Sequence, residues 1–119
     1  MTRVRAIEWD GTVWDDPSPE RLGDLLADMN HRFRFLIVEW ADAPDPEQWY
    51  LQVRLEDDGS HTVEYREGGP FAHYTARVER RPEPWGLDFL VSVVNDWAAG
   101  GSDWRTALPW RLLSPEELV

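Results

Sequence analysis

Histidine is the first place to look for chemistry in this chain, because imidazole exchanges a proton near neutral pH and also ligates metals. His61 and His73 fall on neighbouring predicted strands close to Glu64 and Glu67, while His31 stands apart after the first helical segment. Such a grouping could serve acid–base catalysis or hold a metal ion. The spacing nevertheless matches neither HExxH nor HxH, and histidines at unmatched ladder positions are ordinarily plain surface residues. Nucleophilic catalysis has less support. Ser18, Ser60, Ser92, Ser102 and Ser114 sit in predicted caps, turns or a helix, and no GxSxG elbow surrounds any of them. The chain has no cysteine, which removes thiolate nucleophiles, disulfides and cysteine-ligated metals and leaves burial to supply the stability. The pairs Gly68-Gly69 and Gly100-Gly101 lack both the GxGxxG and the GxxxxGK[ST] pattern and stand where a turn and a helix end are expected. Carboxylates are numerous, but sequence sets no distance between any two of them. The expectation is a protein that is not an enzyme and holds no cofactor or metal.

Tryptophan is more informative. Eight in 119 residues exceed what a core of this size easily accommodates. Trp9, Trp14, Trp49 and Trp97 have inward periodicity, whereas Trp40, Trp85, Trp104 and Trp110 lie at element ends or in connections. There an indole either clamps a loop or anchors a partner, and clamping is the favoured role. Charge narrows the partner. Twelve basic residues, all arginine, against twenty-three acidic ones give a net charge of −11, a field that repels phosphate backbones and attracts cationic surfaces. Nucleic acid is therefore not expected as a ligand. The acids cluster in the segment ADAPDPEQ and in the turn after WYLQVRL, so the expected partner-binding residues are Trp40, Asp42, Asp45, Glu47, Glu56, Asp57 and Asp58. Solubility alone is the competing explanation of the acidity.

The elements that would position these residues can be read from periodicity. VRAIEW and TVW flank Asp10-Gly11, which predicts a hairpin with a two-residue turn, placing Ile7 opposite Trp14 and sending both with Trp9 into the core. Ser18 offers an N-cap and Pro19 a first helical position, and Leu22, Leu25, Leu26 and Met29 give the stripe of a helix over 19–30. The run RFRFLIVEW is apolar on both sides and predicts a central strand. After the acidic loop, WYLQVRLE alternates with Trp49, Leu51, Val53 and Leu55 inward. HTVEYREGG and HYTARVER continue a meander, with Val63, Tyr65, Tyr74, Ala76 and Val78 facing the core. RPEPWG ends the sheet region, and Leu87, Leu90, Val91, Val94, Trp97 and Ala98 mark a longer helix that stops at Gly100-Gly101. A short last strand over 109–113 begins with Pro109, which predicts an edge.

The expected order is β-β-α-β-β-β-β-α-β: one α+β domain over 1–119, a mainly antiparallel sheet with two helices packed on one face and the other face left open. No stretch reaches the roughly eighteen consecutive apolar residues that a membrane helix needs. The amino terminus runs into Glu8 and Asp10 without an apolar h-region, so the expected location is the cytoplasm.

The stretch HTVEYREGGPFAHYTARVERRPE, followed by VVNDWAAGGSDWRTALPWRLL, resembles small actinobacterial proteins that pair a YREGGP hairpin with a tryptophan-rich carboxyl terminus. The wider pattern is similar to the immunity proteins of bacterial polymorphic toxin systems, small acidic cytosolic α+β domains that bind and block a cognate toxin. The resemblance covers roughly residues 49–113, and it implies a non-catalytic protein-binding domain whose partner is a cationic toxin. Two alternatives stay open at this stage: an adaptor or secretion-chaperone-like interaction domain, and a small-molecule binder or enzyme using His61, His73 and Glu64.

Overall fold

The computed structural model describes residues 2–80 and 85–118 of the chain. Seven strands form one antiparallel sheet in the order β2-β1-β3-β4-β5-β6-β7, with β1 Val4–Glu8, β2 Val13–Asp15, β3 Phe35–Trp40, β4 Trp49–Leu55, β5 His61–Glu67, β6 His73–Val78 and β7 Arg111–Leu112. Helices α1 (Pro19–Ala27) and α2 (Trp85–Ala98) pack on one face, and a single helical turn, α3 (Trp104–Ala107), follows α2. The α+β architecture with helices on one face of an antiparallel sheet is thus as the periodicity indicates. The segment 81–84, expected to end the sheet region, lies outside the described residues.

The core lies between the sheet and the two helices. Leu22, Leu25 and Leu26 from α1 and Leu90, Val93, Val94 and Trp97 from α2 cover Ala6, Leu36, Val38, Leu51, Val53, Val63 and Ala76 on the strands. Ser18 caps α1 as expected, its hydroxyl accepting the Arg21 N–H at 3.1 Å. That helix ends at Ala27, three residues short of the expected boundary, with the Asp28 N–H bonded to the Asp24 carbonyl oxygen. On α2 the expected stripe faces the core and is wider by one residue: Leu90, Val94 and Trp97 are buried, Leu87, Val91 and Ala98 pack against the core, and Val93 is buried as well. Val91 meets Gly23 of α1 at the helix–helix seam.

The first hairpin departs from expectation. Its loop is three residues, Trp9-Asp10-Gly11, closed by the Glu8 N–H to the Thr12 carbonyl oxygen at 2.9 Å and the Gly11 N–H to the Glu8 carbonyl oxygen at 3.0 Å. Gly11 has φ +87°, the left-handed residue that converts a type I turn into a bulged hairpin. The extra residue shifts the register so that Trp14 faces Ala6 and Ile7 faces Val13. Trp14 consequently packs against the core, whereas Ile7 falls on the open face. Trp9, 40% exposed, leaves the core altogether and stacks on Phe33 with ring centroids 4.4 Å apart.

Candidate functional site

The two histidines on the β5–β6 hairpin do not meet. His61 pairs with Val78 at one end of the ladder and points to the same side as Val63, where burial pushes its pKa down. His73 pairs with Arg66 at the other end and points to the open face. It is nonetheless only 3% exposed. Its Nε2 lies 2.6 Å from Glu64 Oε1, and its Nδ1 accepts from Arg66 Nε at 3.0 Å. A guanidinium only donates, so Nδ1 carries no proton and Nε2–H donates to Glu64. Arg66 donates a second bond to Gln48 Oε1 at 3.0 Å, and Tyr50 sits edge-on to the imidazole, its own pKa raised by desolvation. The Leu113 N–H bonds to the His73 carbonyl oxygen at 2.9 Å. Strand alternation puts the Leu113 side chain, buried yet outside the main core cluster, on the same face beside it. His73 therefore joins the end of the chain to the sheet with both ring nitrogens already committed. His31 is exposed and far along the chain from both. Among the described residues no three His, Asp or Glu side chains are arranged to hold a metal ion, and no helix is long and apolar enough to cross a membrane.

The acidic residues expected to form one surface lie at opposite ends of β4, a strand that spans about 20 Å at the usual rise per residue. In the turn after β4 the carboxylates are engaged by the fold. Glu56 accepts from the Thr62 hydroxyl at 3.0 Å, and Asp57 pairs with Arg34 at 2.7 Å. Asp58 accepts from the hydroxyl of Ser60 at 2.6 Å and from its backbone N–H at 2.9 Å, and it also pairs with Arg77. Those bonds, those of Ser60 foremost, lower the Asp58 pKa from 3.8 to about 2. The turn acids, expected as partner-binding residues, thus already carry bonds that hold the turn. At the other end, Asp42, Asp45 and Glu47 are exposed, and among the described residues their carboxylates have no side-chain or backbone partner. The loop itself is held by main-chain bonds, from the Ala43 N–H to the Trp40 carbonyl oxygen and from the Gln48 N–H to the Asp45 carbonyl oxygen.

Both residues that flank this loop, Trp40 and Trp49, line a pocket of about 180 Å³ together with Trp97, Trp104, Arg66, Glu67 and Arg105. Trp49 follows the inward alternation of β4 but stands at its end and is 37% exposed, which corrects its expected place in the core. Trp40 lies against Trp97 with centroids 5.0 Å apart. The other wall depends on how α2 ends. The Gly100 N–H bonds to the Trp97 carbonyl oxygen at 3.1 Å, and the chain then passes so close to Asp96 that a Cβ on Gly101 would overlap its carboxylate. That carboxylate accepts the Trp104 N–H at 2.9 Å and starts α3. Trp104 is 4% exposed, its indole N–H bonded to the Gly101 carbonyl oxygen at 2.9 Å and its ring set edge-on to Tyr65. Trp110 packs edge-on to Tyr65 as well and donates to the Trp104 carbonyl oxygen at 3.1 Å. These two tryptophans clamp the last stretch of chain, and burial beside Glu67 pushes the Tyr65 phenol up to about 12, so it remains a neutral packing group. The indole of Trp85 lies outside the described side chains. Arg105 lies over the Trp104 ring at 4.4 Å and pairs with Glu67 at 2.6 Å.

The structure thus brings Trp40, Asp42, Asp45 and Glu47 together at one end of the sheet and leaves Glu56, Asp57 and Asp58 at the other. Sequence reasoning missed Glu67, Trp104 and Arg105 as members of the site. The only signal was the Trp-Arg pair just beyond the Gly100-Gly101 helix end. Comparison with protein-family models, with curated proteins and with solved structures finds no match to this chain.

Proposed function

We propose that the chain is a non-catalytic protein-binding domain that engages a basic partner where the loop 41–48 meets the tryptophan pocket, and that it acts as an immunity protein in the cytoplasm, covering a cationic toxin. The observation that carries this reading is the trio of carboxylates, Asp42, Asp45 and Glu47, which have no partner among the described residues and sit on the loop between Trp40 and Trp49, two residues that line an aromatic pocket. Elsewhere in the described chain acids are widely used in ion pairs, as at Arg5–Asp15, Arg5–Glu39 and Arg77–Glu79. Charges that do not serve the fold are available for steering a partner of opposite sign, and the net charge of −11 extends that field. The pocket also favours a protein over a metabolite. Its volume of about 180 Å³ falls below the roughly 300 Å³ at which small-molecule sites begin, but suits one protruding side chain. Against one site shared by the histidines, His61 and His73 lie on opposite faces, and His73 is held on both nitrogens.

The test uses the protein encoded by the adjacent gene as the candidate toxin. Immobilised wild-type chain should retain it at low salt and release it as salt rises, and the variant D42N/D45N/E47Q should retain much less. Equal retention by both would remove the loop from the interface, and no retention by the wild type would end the immunity assignment.

A further inference from the structure

The pocket already contains an example of the chemistry it accepts. Arg105 is half exposed, so its position is not forced by burial, yet its guanidinium lies over the Trp104 ring at 4.4 Å and meets Glu67 Oε1 at 2.6 Å. A planar cation is favoured there by two separate features, the negative face of an indole and a carboxylate at its edge. Trp40 and Trp49 present further aromatic surface in the same pocket, whose other arginine, Arg66, is held by His73 and Gln48, and the loop that joins these two tryptophans carries Asp42, Asp45 and Glu47 without cations of their own among the described residues. An ammonium group would gain the charge but not the stacking or the forked hydrogen bonds to the carboxylate.

We infer that this pocket is a seat for an arginine side chain of the partner, and that Arg105 is the chain's own occupant, exchanged when the partner arrives. The inference rests on the partner-binding reading above and specifies the residue type that is recognised. The incoming guanidinium takes the Trp104 face and the Glu67 carboxylate, while Arg105, on a flexible stem at the surface, swings towards solvent or the loop acids. The exchange leaves no charge buried alone, because one cation replaces another beside Glu67.

Hexa-arginine and hexalysine peptides carry equal charge and serve as probes, with tryptophan emission and titration calorimetry as readouts. R105A should bind hexa-arginine about fivefold or more tightly than hexalysine, reflecting the planar stacking and the forked hydrogen bonds to Glu67 that lysine lacks. Wild type should show a smaller preference, because Arg105 competes for the seat. Adding E67Q to R105A should shrink the preference, because only stacking on Trp104 is left to distinguish the two cations, while keeping the charge-driven binding of both peptides. R105Q repeats the comparison if alanine loosens the short α3 helix, with melting midpoints checking that each variant is folded. Equal affinity of R105A for the two peptides would overturn the arginine seat; the basic-partner reading would still stand if both peptides bound wild type and were lost from D42N/D45N/E47Q. Failure of both peptides to bind wild type and R105A would overturn the seat and the reading on which it rests.

Discussion

At one end of β4 the loop 41–48 carries Asp42, Asp45 and Glu47, and at the other a turn carries Glu56, Asp57 and Asp58, two groups of equal charge on one strand. The turn spends its carboxylates on the fold, through Thr62, Arg34, Ser60 and Arg77. The loop is closed by backbone bonds, and its carboxylates make no bond among the described residues. Composition does not distinguish them. What does is the pairing: Arg34 and Arg77 reach the turn acids, whereas Arg66 and Arg105 at the loop end are held by His73, Gln48 and Glu67.

If the loop is free because its foundation lies elsewhere, removing that foundation should have the largest effect of any change at this end. Trp97, 3% exposed beneath Trp40, is that foundation. Trp97→Ala should cost about 3–5 kcal/mol, as large aromatic truncations in cores do. For a domain of this size that means a fall in melting midpoint on the order of 10 °C or more. A shift no larger than that of Asp42→Asn, measured by circular dichroism, would mean that the pocket end is held by something other than its aromatic floor.

At the turn the expected effect is smaller and depends on acidity. Ser60→Ala removes a buried hydroxyl from Asp58 and should cost about 1 kcal/mol, the usual net worth of a hydrogen bond. Asp58→Asn should also lower the melting midpoint at neutral pH. The folded-state pKa of Asp58 is depressed from 3.8 to about 2, so its stabilisation is complete above the ordinary value and is lost as pH falls towards 2. The gap between wild type and Asp58→Asn should therefore be widest near neutrality, narrow between about pH 4 and pH 2, and close below that. A gap independent of pH across this window would show that the charge on Asp58 is not what holds the turn.

The sequence carries the sheet and both long helices plainly, because Leu22, Leu25 and Leu26 keep a helical period and Leu51, Val53, Val63 and Ala76 keep a strand period that only one burial pattern satisfies. It misleads at the first hairpin, where Asp10-Gly11 reads as a two-residue turn but Gly11 serves as the bulge of a three-residue loop. One residue of loop length then changes which side chains are buried. The site was legible in its loop half. Trp40, Asp42, Asp45 and Glu47 are adjacent in sequence, and prolines at 44 and 46 keep them out of a ladder. The other half was not, because Glu67 and Arg105 meet only after Asp96 and Gly101 have turned the chain back against β5. Nor does sequence distinguish the turn acids from the loop acids, since Arg34 and Arg77 reach the turn from β3's approach and from β6.

The smallest expected change in stability is the most decisive for the comparison. Neutralising the loop acids in D42N/D45N/E47Q should move the stability by no more than about 0.5 kcal/mol, the range of surface substitutions without a structural partner. Any shift should be upward, since three charges are removed from a chain at −11. The matched variant of the turn, E56Q/D57N/D58N, should melt lower than wild type under the same conditions, because it breaks bonds that the fold uses. In binding the order should reverse. The loop variant should associate more slowly with a basic partner, and the difference from wild type should shrink as salt rises, because exposed charges act over about 8 Å at physiological ionic strength. The turn variant, about 20 Å away along β4, should keep most of the wild-type association rate. Stopped-flow association of all three proteins across a salt series, paired with their melting midpoints, separates the two corners on independent axes. Should the two variants slow association equally, the acidity acts as a diffuse field of the whole molecule and the loop has no special place in recognition.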